Sequence, residues 1–406
     1  MSPVTTGKII AHLRRERGLT QSALAALLSV SDKTVSKWES GAGYPEITQL
    51  PVLAKLFGTS VDYLINGGFD GITVAGNIIL DKVKIIEKFP KQGMLVSILS
   101  ESSAVGGCVP NTAIDLAKID PSIPVSACGL VGDDEAGRYV TMQMQKYGIN
   151  TSRIKTAVDL PTGYDDVMTA ADTGARTFFL NRGINSVFAP EDIDVDALDC
   201  KIFHIGYILL LDLFDRENAD YGTAMAELLS RVQARGIKTS FDVVSDAAGN
   251  FKTKVKPALR YANYAVMNEI EACGVSKLVA RKADGRLNTE NIRRTLELFF
   301  EYGVSELAVV HCPEAGFCMN AAGEFFAVPS LKLPDGYIKG SVGAGDAFCA
   351  GVLYGLLKGM PEREILEFAS GAAAFNLSEK DSVSGMRPKA EILKFIKETE
   401  RQDLCL

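Results

Sequence analysis

The chain has 406 residues, enough for two or three domains with a sizeable core. Its composition is that of an ordinary globular protein, 47% hydrophobic and 23% charged, and the formal net charge of −7 excludes a polycation that coats nucleic acid by charge alone. Three histidines and eight scattered cysteines show no Cys-x-x-Cys pair and no spacing that would let them share a metal, so reduced thiols in a cytoplasmic protein are expected.

The N-terminus lacks the apolar core of a signal peptide, and the longest apolar stretch, "IFHIGYILLLDLF" (202–214), is too short to span a bilayer, so no membrane role is expected. Residues 1–67 carry seven Lys/Arg against five Asp/Glu, a balance of +2 that leaves −9 for the remainder. This first segment reads as five short helices. Thr20 is placed to cap "QSALAALL", and Ser31, after a three-residue turn, to cap "DKTVSKWES", in which Val35 and Trp38 face inward. "ITQLPVLAKLFG" and "SVDYLI" supply two further helices, and a glycine-rich joint at 68–71 closes a domain of residues 1–67.

Two helices joined by a short turn form the layout of a helix-turn-helix, whose second helix enters the major groove of DNA. Lys33, Thr34 and Lys37, with Ser36 beside them, would reach base edges, and Gln21 would hydrogen-bond a phosphate. The pattern "LTQ…LA", "VS…VSKWE.G...P" and "LAK.F..S.D.L" resembles the lambda-repressor-like (Xre-type) DNA-binding family. An isolated lysine pair would be no more than a solvated helix face; within this pattern the expectation is a double-stranded DNA operator. Because one module grips few phosphates, a homodimer is expected.

From residue 72 to about 400, short β-type runs alternate with helical ones, predicting an α/β domain with a mostly parallel sheet covered by helices on both faces. Strands are predicted at "ITVAG", "MLVSIL", "VSACGLVG", "IFHIG", "KTSFDVV", "YAVMN" and "LAVVHC", and helices over 110–119, 134–147, 219–234, 289–302, 345–357 and 361–376. Residues 162–181 read as a hairpin that could project as a small β lid, and 316–328 as a second hairpin.

Several short motifs sit at the ends of these elements. Taken singly, "GGCVPN" (106–111) is a turn, Asp81 a surface or capping acid, and Asn268 with Glu271 an N-cap and its partner three residues on. "GSVGAGDAF" (340–348) is different, because small residues open a helix that begins with one carboxylate, Asp346. Backbone N–H groups of a Gly-Ala-Gly turn can approach an anion closely, and a carboxylate beside them can take a proton from an attacking hydroxyl.

In order, "GN…LD", "GG…N", "GLVGDDEAGRYV…GINTS", "TG…GARTFFLNRGIN", "MNEIEA" and "GAGDAFCAG" resemble the ribokinase-like (phosphofructokinase-B) carbohydrate kinases across nearly the whole domain. The resemblance implies ATP-dependent phosphorylation of a sugar or polyol hydroxyl, with Mg2+. It makes Gly343, Ala344 and Gly345 an anion hole and Asp346 the base. It gives Asp81, Gly106, Gly107 and Asn111 to the sugar, and Asn268 and Glu271 to the nucleotide phosphates, with Glu271 touching magnesium only through water. Arg176, in the lid hairpin, is placed to reach the sugar or a substituent, although an exposed hairpin arginine is ordinarily just solubilising.

Three departures stand out. His311-Cys312-Pro313 replaces a Thr-x-Gly near the nucleotide, where Gly316 is expected to contact the nucleotide; Gly340 stands where an acid helps bind a monovalent cation; and Val109 replaces a small residue and could reshape the sugar pocket. Two other readings stay open: a regulator whose kinase fold only senses a sugar, and a plain kinase whose N-terminal module dimerises it.

Overall fold

The computed structural model describes residues 3–57, 59, 61–66, 70–245 and 249–403; residues 68 and 69 of the expected joint lie outside them. Two compact units divide the chain, Met1–Gly71 with Asp194–Lys201, and Ile72–Ile193 with Ile202–Leu406.

The N-terminal unit holds helices α1 (Pro3–Glu16), α2 (Gln21–Leu27), α3 (Asp32–Glu39), α4 (Gln49–Phe57) and α5 (Val61–Asn66). Thr20 and Ser31 cap α2 and α3, their hydroxyls accepting from the N–H groups of Ala23 (3.0 Å) and Thr34 (3.1 Å). Ile10, Leu24, Val35, Trp38, Leu53 and Leu64 form the core. Gly7 is required where α1 crosses α3, since a Cβ there would overlap the Trp38 carbonyl.

In the second unit, a nine-stranded sheet is built from β1 (Ile72–Gly76), β4 (Val125–Gly132), β5 (Asn150–Ala157), β8 (Ile202–Ile208), β11 (Lys238–Val243), β12 (Tyr264–Asn268), β13 (Leu307–His311), β14 (Ala315–Asn320) and β15 (Phe325–Pro329). Their order is β15-β14-β13-β12-β11-β8-β1-β4-β5. All neighbours are parallel except the antiparallel pairs β13/β14 and β14/β15. A separate four-stranded sheet, ordered β3-β2-β6-β7, combines β2 (Ile79–Ile86), β3 (Ile98–Gly106), β6 (Gly163–Ala170) and β7 (Arg176–Asn181).

Helices α6 (Cys108–Ile119), α7 (Glu135–Lys146), α8 (Ala224–Ala234), α9 (Phe251–Lys254), α10 (Lys256–Leu259), α11 (Glu269–Ser276), α12 (Thr289–Tyr302), α13 (Ala344–Lys358), α14 (Glu362–Asn376) and α15 (Lys389–Glu398) complete the unit. The core joins the sheet to α6, α13 and α14 through Val74, Val109, Val309, Val352, Leu353 and Leu366. Such α/β layering leaves the carboxyl ends of the parallel strands open to ligands.

Four elements depart from the expected ones. The lid is more than the hairpin over 162–181, because β6 pairs in parallel with β2, and β2 in turn with β3. The strand expected over 94–99 runs instead from Ile98 to Gly106; its polar "SESSAVG" carries no strand pattern and is held by pairing with β2. The polar strand β5 lies at one edge of the main sheet. Finally, α8 starts at Ala224 rather than 219 because 217–223 forms the small hairpin β9 (Glu217–Asn218) and β10 (Gly222–Thr223).

Candidate active site

Gly343 caps α13 in the left-handed region at φ 77°, and a Cβ there would stand 2.7 Å from the Ser382 Cβ. The turn therefore brings the first N–H groups of α13 to the surface of a cleft with no side chain in the way. The Ala344 N–H turns back to the Ser341 carbonyl (3.3 Å), while Gly345 and Asp346 lie in the first turn, where a helix offers no carbonyl partner for the N–H.

Asp346 is buried on that turn. Its Oδ1 accepts from the Tyr207 hydroxyl at 2.6 Å and its Oδ2 from Asn111 Nδ2 at 2.9 Å. Burial pushes the carboxyl up to about 6, and the two bonds oppose that rise. The group thus stays largely ionised at neutral pH while remaining basic enough to accept a proton. Asn111 keeps its own Oδ1 buried without a partner, an acceptor that a substrate hydroxyl can satisfy.

Asp81 is placed by the lid, not by the end of β1. It lies on β2, opposite Asp165 of β6, and is pushed up to about 8 by burial, by Asp165 and by Asp346. Gly106 ends β3 beside it, and a Cβ there would overlap the Asp81 carboxylate. Gly107 (φ 88°) opens α6, with the Asn77 carbonyl 2.7 Å from where its Cβ would be. The Asn77 side chain accepts from the Cys108 N–H at 3.1 Å and so fixes the start of the helix that carries Asn111. Strand alternation puts Lys82 and Lys84 on the face opposite Asp81, where Lys84 pairs with Asp166.

Arg176 is drawn elsewhere. Its Nη2 donates to the Lys380 carbonyl (3.4 Å) and lies 2.9 Å from the position a Gly340 Cβ would take. A cavity of about 450 Å3 separates this part of the lid from residues 338–342. Val109 is fully buried and packs into the core.

A second cavity, of about 710 Å3, adjoins the Gly343 turn and is lined by Asn268, Ile270, His311, Pro313, Ala344 and Phe348 among others. His311 stacks on Phe348 with centroids 4.8 Å apart, and burial pushes its imidazole down to about 4, so it is neutral. Arg281 ties Glu269 to Glu314 across the rim, with its closest contact to each at 2.7 Å. Gly316 is not among the lining residues; it faces His311 across the β13/β14 ladder, and Phe348 and Leu366 fill its Cβ direction, so it serves packing.

Asn268 and Glu271 form a capping box at the start of α11. The Glu271 carboxylate accepts from the Asn268 N–H (3.1 Å) and the Ser245 hydroxyl (2.9 Å), and burial pushes it up to about 7. Each oxygen keeps a second lone pair, so the group fits a hydrated Mg2+ reached through water.

On the N-terminal unit, Lys33, Ser36 and Lys37 are exposed along α3, and Thr34 is half-buried with its hydroxyl 2.8 Å from Ser31 Oγ. Gln21 is less available than expected. Its amide nitrogen donates to Glu39 Oε2 (2.8 Å), which also pairs with Arg14, so it braces α2 against α3.

The pattern of the pfkB family carbohydrate kinases matches residues 71–389. The chain belongs to that family. A helix-turn-helix pattern matches residues 10–64 of this kinase. It is similar to the 5-dehydro-2-deoxygluconokinase of Listeria innocua, 25% identical over 343 residues that cover 80% of this chain and 95% of that protein. The ribokinase of Arabidopsis thaliana is 24% identical over 329 residues, 80% of this chain and 81% of that one. Among solved structures, ribokinase from Thermotoga maritima shares the fold with a TM-score of 0.66 at 22% identity, covering 81% of this kinase and 100% of that chain.

Sequence reasoning missed Tyr207 and Asp165, which carry no motif and reach Asp346 and Asp81 only through strand placement. It also excluded a histidine and cysteine at one metal, whereas His204, Asp242 and Cys349 come together in the core.

Proposed function

We propose that this carbohydrate kinase transfers the γ-phosphoryl group of ATP to a hydroxyl of an uncharged sugar or polyol. The observation that carries the reading is Asp346, held by Tyr207 and Asn111 in the first turn of α13 beside the Gly343 turn. Asp346 accepts the hydroxyl proton as the acceptor oxygen bonds to the γ-phosphorus. The bond from that phosphorus to the β–γ bridging oxygen breaks, and ADP leaves. The N–H groups of Gly345 and Asp346 face the charge that develops on the transferring oxygens. Magnesium, when bound with the nucleotide, would supply charge neutralisation on the phosphates, and Glu271 and Asn268 would hold it through water.

The uncharged acceptor follows from electrostatics. The neighbours that act most strongly on Asp81 are Asp165 and Asp346, and those on Asp242 are Glu271 and Asp346. Lys82 and Lys84 of the lid lie on its other face, and Arg176 Nη2 reaches the Lys380 carbonyl at 3.4 Å. Asp346 is ionised at neutral pH while Asp81 is protonated, so a carboxylate or phosphate on the acceptor would meet the charge of Asp346.

The N-terminal unit binds an operator in double-stranded DNA through α3, as a homodimer, and acceptor occupancy changes that binding. An ADP-release assay of the full chain over neutral sugars, polyols and nucleosides, beside sugar acids and sugar phosphates, tests the catalytic part. Turnover confined to neutral acceptors is expected. Turnover of sugar acids alone would overturn the charge argument. Acceptor-dependent melting shifts with no turnover would favour a sensor. Gel shifts with and without the acceptor test the regulatory part.

A further inference from the structure

Beneath the Asp346 turn, four elements bring metal-binding side chains to one face of the sheet. His204 on β8 lies opposite Ser240 on β11 in the parallel register, and Asp242 follows Ser240 by two residues on the same face. Cys349 comes down onto them from α13, one turn after Asp346, and places its Sγ 3.8 Å from His204 Nε2. One ligand atom from each of His204, Asp242 and Cys349 lies within 4.8 Å of the other two. His204 and Cys349 are fully buried and Asp242 nearly so. Cys108, at the start of α6, borders the group over Gly206, whose Cβ direction meets the Cys108 Sγ at 2.7 Å and the Asp242 Cβ at 3.3 Å.

We infer that His204, Asp242 and Cys349 bind one divalent transition-metal ion, zinc being the natural occupant, which pins the catalytic turn of α13 to β8 and β11. Donors around a tetrahedral zinc, with bonds of about 2.0–2.3 Å, stand roughly 3.3–3.8 Å apart, so the ring and the thiol need little movement. Thiolate, imidazole and carboxylate together select zinc over magnesium or calcium, which take oxygen donors. Ser240 Oγ stands 3.1 Å from His204 Nδ1, and accepting from that nitrogen leaves Nε2 as the ligating atom facing Cys349.

Charge balances as well. On binding, the Cys349 thiol and the buried Asp242 carboxyl each lose a proton to solvent. The thiolate and the Asp242 carboxylate then neutralise the two positive charges, so the core holds a neutral complex. These three donors leave the fourth tetrahedral position to a water, and because the group is buried the ion enters as the chain folds. No step of phosphoryl transfer uses this ion; its effect is to hold Asp346 through the helix they share.

The test uses the full chain produced in zinc- or cobalt-supplemented medium and dialysed against weak chelator. One equivalent of metal per chain by elemental mass spectrometry is expected, and the cobalt form should show thiolate-to-cobalt charge transfer with tetrahedral visible bands. Cys349→Ser and His204→Gln should each lose the bands, and Cys108→Ser should keep them. Circular dichroism confirms that each variant folds. A folded wild-type protein with no retained metal and no charge-transfer band overturns the proposal, as does a band that survives Cys349→Ser.

Discussion

The Tyr207 hydroxyl donates to the Asp346 carboxylate at 2.6 Å across 139 residues of chain. This bond favours the ionised carboxylate in a site where burial favours the protonated one. Replacing Tyr207 by Phe should raise the acid limb of kcat/KM from near pH 6 by about one pH unit, the scale of one hydrogen bond to a charged group. A pH–rate profile checks this, and the variant should recover most of its loss at higher pH.

Asp346→Asn should abolish turnover, with a loss on the order of 10²–10⁴ in kcat from the missing base. Folding should survive. The Asp346 carboxyl is pushed up in the folded state, so its ionisation weakens folding as pH rises from 3.8 towards 6. The variant should therefore melt no lower than wild type at pH 8.

Asp81, at about 8, is protonated at neutral pH and can donate as well as accept a hydrogen bond. The KM for the acceptor should rise as pH climbs through 8 while kcat changes less. Asp165→Asn removes a neighbouring charge that raises Asp81, so the rise should begin at lower pH. Steady-state kinetics from pH 6 to 9 separate the two parameters.

Asp115, fully buried on α6 one turn beyond Asn111, has two carboxylate oxygens without hydrogen-bond partners, and burial pushes its carboxyl well up. The folded chain holds this proton more tightly than the unfolded chain, so stability falls as pH rises above the ordinary carboxylate range. Asp115→Asn should melt on the order of 2–4 °C higher than wild type at pH 8, with the gain vanishing in acid. Melting curves across pH decide it.

The exposed Lys33 and Lys37 on α3 set the last expectation. Lys33→Ala with Lys37→Ala should weaken operator binding and relax its sequence preference, the signature of side chains at base edges. Fluorescence anisotropy on operator and unrelated DNA measures both; unchanged binding would remove α3 from the interface.

What was legible in the sequence was local. Asp346 and its glycine turn lie within nine consecutive residues, and Thr20 and Ser31 cap their helices through atoms three residues away. What escaped depended on register. Asp165 becomes a neighbour of Asp81 only because β6 pairs with β2, and the polar β3 becomes a strand only because β2 lies beside it. Gly316 looked like a nucleotide contact in sequence, yet its pairing with His311 turns it toward Phe348. Gln21 looked free for phosphate because nothing near it announces Glu39, eighteen residues on. Histidine and cysteine spacing likewise hid His204 and Cys349, which lie 145 residues apart.

The central claim is that Asp346 drives phosphoryl transfer to an uncharged hydroxyl acceptor. Its most direct test follows label from ATP marked in the γ-phosphate into a panel of neutral sugars and polyols, with wild type and Asp346→Asn side by side. The account predicts label in at least one neutral acceptor with the wild type and near-complete loss with the variant. Equal labelling by both proteins, or labelling of charged acceptors only, would contradict it.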